Sequence, residues 1–196
     1  MWHGNIDDIK VPVGKYFARI ISGKDSMESN FELLKDPNYE MSQADYKQQF
    51  DFLIQVKNKF KETQQCLRNI SSVRNQINTL SEKLASSYPA ELDSLGKKIQ
   101  KSLTSIEESL YQTKAKSGQD VLNYPIKLND KLVGIFDAAN QYTAPNASVK
   151  EAYADIAKLI DIELEKFESL RKSDISNYNV LVRKREIDYL LIKKEE

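Results

Sequence analysis

His3 is the only histidine and Cys66 the only cysteine in the 196-residue chain. A serine or cysteine triad relayed through imidazole, a Glu-x-x-His di-iron bundle and a cysteine-based zinc site each need side chains that the body of this sequence does not supply. Carboxylates are what remains for moving protons, and Asp155, Asp161, Glu163, Glu165 and Glu168 form their densest run. Such acids hydrolyse glycosides only where two of them converge in one cleft. Strung along a helical stretch, they read as its solvated side. The 6 glycines make no phosphate-cradling or dinucleotide pattern. No catalytic residue, cofactor or metal ligand is expected, and Cys66, beside an apolar helical stripe, is expected to be a half-buried structural thiol.

Polar, aromatic and kinking residues coincide in one place, Asn123, Tyr124 and Pro125, followed by Asn129. Pro125 is expected to fix the start of a helix while the asparagine side chains satisfy the backbone groups loosened around it. A partner site there would require a cleft. Lys and Arg number 29 against 29 Asp and Glu, with a pI near 6.6, which removes the basic field that nucleic acid demands. Arg171 and Lys172, and Arg183, Lys184 and Arg185, are offset by nearby acids. The longest apolar runs, such as Tyr189 to Ile192, are too short to cross a bilayer, and Met1 to Gly4 lead into Asp7 and Asp8 instead of a signal-peptide apolar region. Neither a transmembrane segment nor an export signal is expected.

The elements that would position these groups follow from periodicity. Tyr46, Phe50, Leu53, Val56, Phe60, Leu67, Ile70, Val73, Ile77, Leu80 and Leu84 recur at helical spacing, predicting one long helix with a single apolar face. Ser42 and Asp45 resemble a capping box at its start, and Ser86 to Pro89 stop it. A second helix carries Leu92, Leu95, Ile99, Leu103, Ile106 and Leu110, with Ser87 or Tyr88 as its cap. A third spans about 126 to 140. A fourth, capped by Ser148 with Glu151, carries Val149, Tyr153, Ile156, Ile160, Leu164, Phe167 and Leu170, and a last short helix restarts at Asp174 or Ser176. Before them all, Val13 to Ile21 is strand-like, Ser22 to Asp25 a turn, and Ser29 to Leu34 a weaker returning strand. The predicted fold is mainly all-α: an elongated antiparallel bundle of about four helices plus a short C-terminal helix (residues 41–196), with a small N-terminal β-hairpin (residues 1–40).

Trp2, His3 and Gly4, then Val11 to Ile20, resemble the W-x-G and V-P-x-G-x-Y pattern of Ig-like modules in bacterial extracytoplasmic proteins. Asp36 and Pro37, with Leu122 to Leu132 reading L-N-Y-P-I-K-L-N-D-K-L, are similar to the helical tail of bacterial sortilin-like (VPS10-type) or BNR-repeat proteins, often labelled glycosyl hydrolases. Asp174 and Asn179 match that tail's final D-x-x-x-x-N element. The resemblance implies a periplasmic or extracellular setting and a partner that is a separate β-propeller. It carries no catalytic residue, because the propeller with its sugar-binding surface is missing. What is left is a split frame, an excised piece or a helper subunit.

Two functional readings follow: a non-catalytic helical interaction or structural module, the tail of a larger exported propeller-type protein, or an accessory part that orients substrate for a glycoside hydrolase or peptidase-like enzyme. A third, an independent enzyme using carboxylates alone, requires two acids in a concave pocket. The partner is expected to be protein, either that propeller or a second copy met through the edge of the hairpin. The assigned facing of the long helix is checked by thermal melting: Phe60→Asp and Leu67→Asp should each collapse the fold, whereas Lys57→Asp and Lys61→Asp should be mild.

Overall fold

The computed structural model describes residues 6, 8–117 and 120–187. The Trp2, His3 and Gly4 motif and the Tyr189 to Ile192 run lie outside them. The fold is mainly helical, with a small antiparallel hairpin before four principal helices. Strand β1 is Gly14–Ser22 and β2 is Asp25–Leu33. The returning strand thus starts at Asp25, four residues earlier than its composition predicts, because the loop is only Gly23 and Lys24 and pairing begins at Ser22 with Asp25. Gly23 has φ of 62°, the left-handed conformation that a Gly-X hairpin loop needs.

The chain packs as two compact units. One holds the hairpin, residues up to Phe60 and Lys131–Ile156. Its part of α1 (Gln43–Leu84) opens on the expected box: the Asp45 N–H donates to Ser42 Oγ at 3.1 Å, and the Ser42 N–H donates to Asp45 Oδ2 at 3.0 Å. The Ser42 hydroxyl also donates to Asp45 Oδ2, at 2.7 Å, and together with the Ser42 N–H it holds the Asp45 carboxyl below its ordinary pKa. Phe52, Leu53 and Val56 of α1 and Leu132, Ile135, Phe136 and Ala139 of α3 (Leu128–Ala139) are buried. The Gln49 amide donates to the carbonyls of Ala139 at 2.8 Å, of Thr143 at 3.2 Å and of Gln141, so one α1 side chain covers acceptors that the end of α3 leaves open. Helix α4 (Ala147–Leu170) is capped by Asn146, whose Oδ1 accepts the Val149 N–H at 2.9 Å. That corrects the expected Ser148 cap: Asn146 follows Pro145 and reaches the open amide two residues earlier.

The other unit contains Lys61–Asp130 and the chain from Ala157 onward. Cys66, Ile70 and Ile77 of α1 are buried with Leu92, Gly96, Ile99, Leu103, Ile106 and Leu110 of α2 (Ala90–Leu110). The α2 set steps alternately by four and three residues, the spacing of a coiled-coil seam. Helix α1 ends where Ala85 takes φ of 45°, and the cap of α2 is Pro89 in extended conformation instead of Ser87 or Tyr88. Arg74 grips Glu107 across α1 and α2, Nη2 to Oε2 at 2.6 Å, with both side chains mostly buried. The predicted restart at Asp174 or Ser176 is corrected too. Backbone stays right-handed helical through a π-helical turn, Arg171–Ile175, into α5 (Ser176–Lys184), so no break or new cap separates them.

Gly96 of α2 lies against side chains of α1 and α5. A Cβ there would lie 3.2 Å from Ile77 Cγ2, 3.4 Å from the Tyr88 hydroxyl and 3.6 Å from the Tyr178 ring. Tyr88 and Tyr178 share a 2.8 Å hydroxyl–hydroxyl hydrogen bond directly over it. Gly96→Leu should therefore destabilise the protein by about 1–3 kcal/mol through overpacking, despite leucine's better helix propensity; denaturant unfolding measures it.

Candidate functional site

The six sequence-flagged residues fall in one unit but not in one place. Asn123, Tyr124 and Pro125 are exposed in the connection after α2. Their backbone is held by the main-chain carbonyl of Asp120 and by Gln112 and not, as expected, by asparagine side chains. Asp120 accepts the N–H of Ser117 at 2.8 Å, its own carbonyl accepts the N–H groups of Asn123 at 3.0 Å and Tyr124 at 2.9 Å, and Gln112 donates to the Pro125 carbonyl at 2.8 Å. The amides of Lys116 and Ser117 hold the Asp120 carboxyl below its ordinary pKa. The carboxylate accepts two amides at once and so fixes Asp120 against Lys116 and Ser117, from where its carbonyl reaches the amides that follow.

Asp174, in the π-helical turn, pairs with Lys98 at 2.9 Å. Lys98 and the last residue of α2, Leu110, two residues before Gln112, are roughly 18 Å apart along the helix axis, so Asp174 and the Pro125 segment are held at different levels of α2. Asn179 is exposed and lines a groove of about 720 Å³ with Ser72, Gln76, Lys83, Val182 and Ile187. No acid stands among the groove's described lining residues.

Asn129 is the unusual member. It is fully buried in the first turn of α3, and neither its Oδ1 nor its Nδ2 has a hydrogen-bond partner. Its neighbour Asp130 is half-buried with Oδ1 also unpartnered, and burial raises its pKa although the Lys127 N–H opposes the shift. A carboxyl whose folded pKa is raised destabilises the fold as pH climbs from the ordinary carboxylate range through the folded value. The amide and acid point inward without converging on a nucleophile or a base.

The other candidate chemistry separates in the same way. Glu163 is the one buried acid of its run and pairs with Lys166 at 2.8 Å, while Asp155, Asp161, Glu165 and Glu168 are exposed. Cys66 is buried, and burial, with Glu168 and Glu163 adding to it, pushes its thiol up to about 11, which keeps it protonated and unreactive. Among the described residues no group of three or more His, Cys, Asp or Glu is placed to hold a metal ion, and no helix is long and apolar enough to cross a membrane.

Exposed apolar surface concentrates on the hairpin. Phe17, Ile20, Ile21 and Met27 are 65%, 72%, 68% and 74% exposed. The register places Tyr16 against Phe31, Ala18 against Ser29 and Ile20 against Met27 on one face, and Lys15 against Glu32, Phe17 against Asn30 and Arg19 against Glu28 on the other. The β-branched and aromatic run that marks β1 in the sequence is thus an exposed apolar surface in the fold. The chain matches no protein-family model, no curated protein and no solved structure.

An unpaired buried amide costs about 1–3 kcal/mol. Asn129→Leu, close in volume, should therefore raise stability by about 1 kcal/mol, roughly 3 °C in melting temperature for a chain of this size. A fall in melting temperature instead would show that Asn129 has a partner in solution.

Proposed function

We propose that this chain is a non-catalytic protein-contact module whose helices carry a β-hairpin as the contacting element. The observation that supports it is the exposure of the hairpin's apolar face, Ile20 and Met27 above all. Two strands alone cannot bury a face, and isolated hairpins are marginal in water. An apolar strand surface left open in this way is completed by another polypeptide. The polar candidates support the same reading: Asp174 is tied to Lys98, Pro125 to Gln112, and Asn129 is fully buried with its amide unpaired. The resemblance to the tails of propeller proteins fits a module of this kind, and a propeller-encoding frame immediately upstream would identify that propeller as a partner.

Substituting the facing pair, Ile20→Lys with Met27→Glu, tests the reading on the full chain. A contact face outside the core should leave stability within about 0.5 kcal/mol of the parent, measured by thermal and denaturant unfolding. A loss of several kcal/mol would place these side chains in the protein's own core and end the proposal.

A further inference from the structure

Both strands of the hairpin have an open edge, and the two edges are chemically different. The strand β2 edge carries Asp25, Glu28 and Glu32 and no base, whereas β1 carries Lys15 and Arg19 among Tyr16, Phe17, Ile20 and Ile21. A two-residue loop closes on a hydrogen-bonded pair, here Ser22 with Asp25, so the pairs alternate from there and Lys15, Phe17, Arg19 and Ile21 turn their N–H and C=O groups outward. We propose that this β1 edge pairs with the β1 edge of a second copy, antiparallel about a two-fold axis through Ala18. The proposal rests on the reading of the hairpin as the contacting element and names its partner.

Charge selects the register. With Ala18 facing Ala18 of the second copy, Phe17 lies opposite Arg19, Lys15 opposite Ile21 and Tyr16 opposite Ile20. Each Arg19 then meets an aromatic ring across the axis while its own Glu28 neutralises it from the other side. Sliding the strands by one pleat in either direction sets Lys15 opposite Arg19, or Arg19 opposite its own copy, and like charges directly opposed repel. The favoured register forms about eight main-chain hydrogen bonds. It also fuses two narrow apolar faces into one broad face that runs across four strands, with Ile20, Met27, Tyr16 and Phe31 contributed twice. Pairing β2 with β2 instead gathers six carboxylates on the two central strands. Pairing β1 with β2 of the next copy satisfies charge but does not close, and it would extend into fibres.

Disulfide trapping tests the geometry on the full chain, since Cys66 is buried and protonated and does not compete. Non-hydrogen-bonded partners sit about 4.5 Å apart between Cα atoms, inside the ~4.4–6.8 Å range that a disulfide spans. Ala18→Cys should oxidise to a covalent dimer roughly ten-fold or more faster than Lys24→Cys at the loop tip, because pairing raises the effective thiol concentration. Ser29→Cys, which marks the axis of a β2 to β2 pair, should trap slowly. Arg19→Glu should slow trapping of Ala18→Cys, and light scattering of the unmodified chain should show a dimer that Arg19→Glu dissociates. Equal trapping at all three sites, preferential trapping at Ser29→Cys, a strict monomer or an open-ended series of larger species would each overturn the proposal. A monomer that keeps full stability in the Ile20→Lys, Met27→Glu variant would remove the second copy while sparing the hairpin as a contact element for a different protein.

Discussion

A 42-residue helix with apolar side chains every three or four positions has to keep one side away from water, and most other features follow from how that is done. Val56, Thr63, Ile70 and Ile77 of α1 are seven residues apart and buried. Helix α2 answers with the same heptad spacing, from Leu92 to Leu110. Each fully buried leucine or isoleucine contributes about 1.5–3 kcal/mol, so a seam of this kind supplies cohesion that no isolated helix has. It also limits chemistry. Core positions filled by apolar side chains are unavailable for converging polar groups, and the buried polar side chains among the described residues are either neutral, like Thr63 and Asn129, or partnered, like Glu163.

Function is thereby pushed to the surface elements that the seam does not consume. Within its own unit the hairpin is the clearest of these, because Phe17, Ile20, Ile21 and Met27 are exposed together on its two paired strands. A hairpin with Arg19 bridging to Glu28 and Tyr16 stacked near Phe31 is locally consistent, yet among the described residues its apolar side chains stay exposed. That imbalance between local order and unsatisfied surface is the physical ground for reading it as a contact element.

The helices were legible because burial repeats. Leu53, Val56, Ile70 and Ile77 could be read from spacing alone and are buried, while Phe60 and Leu67 of the same stripe are only half-buried and Thr63 and Cys66 take the deeper places. A 3.6-residue reading drifts off a 3.5-residue seam, and small or polar residues at seam positions carry no apolar signal. Caps were harder. Asn146 competes with Ser148 over two residues, and only the direction in which the chain leaves Pro145 decides between them. The candidate site was least legible: Asn129 reads in the sequence as a side chain that satisfies backbone groups near a helix start, and its burial without a partner depends on packing that local residue types do not encode.

The π-helical turn at Arg171–Ile175 behaves like one residue inserted into an otherwise regular helix. Without it, everything beyond would be rotated by roughly 100° about the helix axis, and Tyr178 would swing off Tyr88 and Gly96. The insertion thus lets α5, with a phase different from that of α4, address α2. A length change of a single residue there is tolerable to the backbone but not to the aromatic contact, so this turn acts as the chain's indexing notch, holding downstream side chains in step with α2.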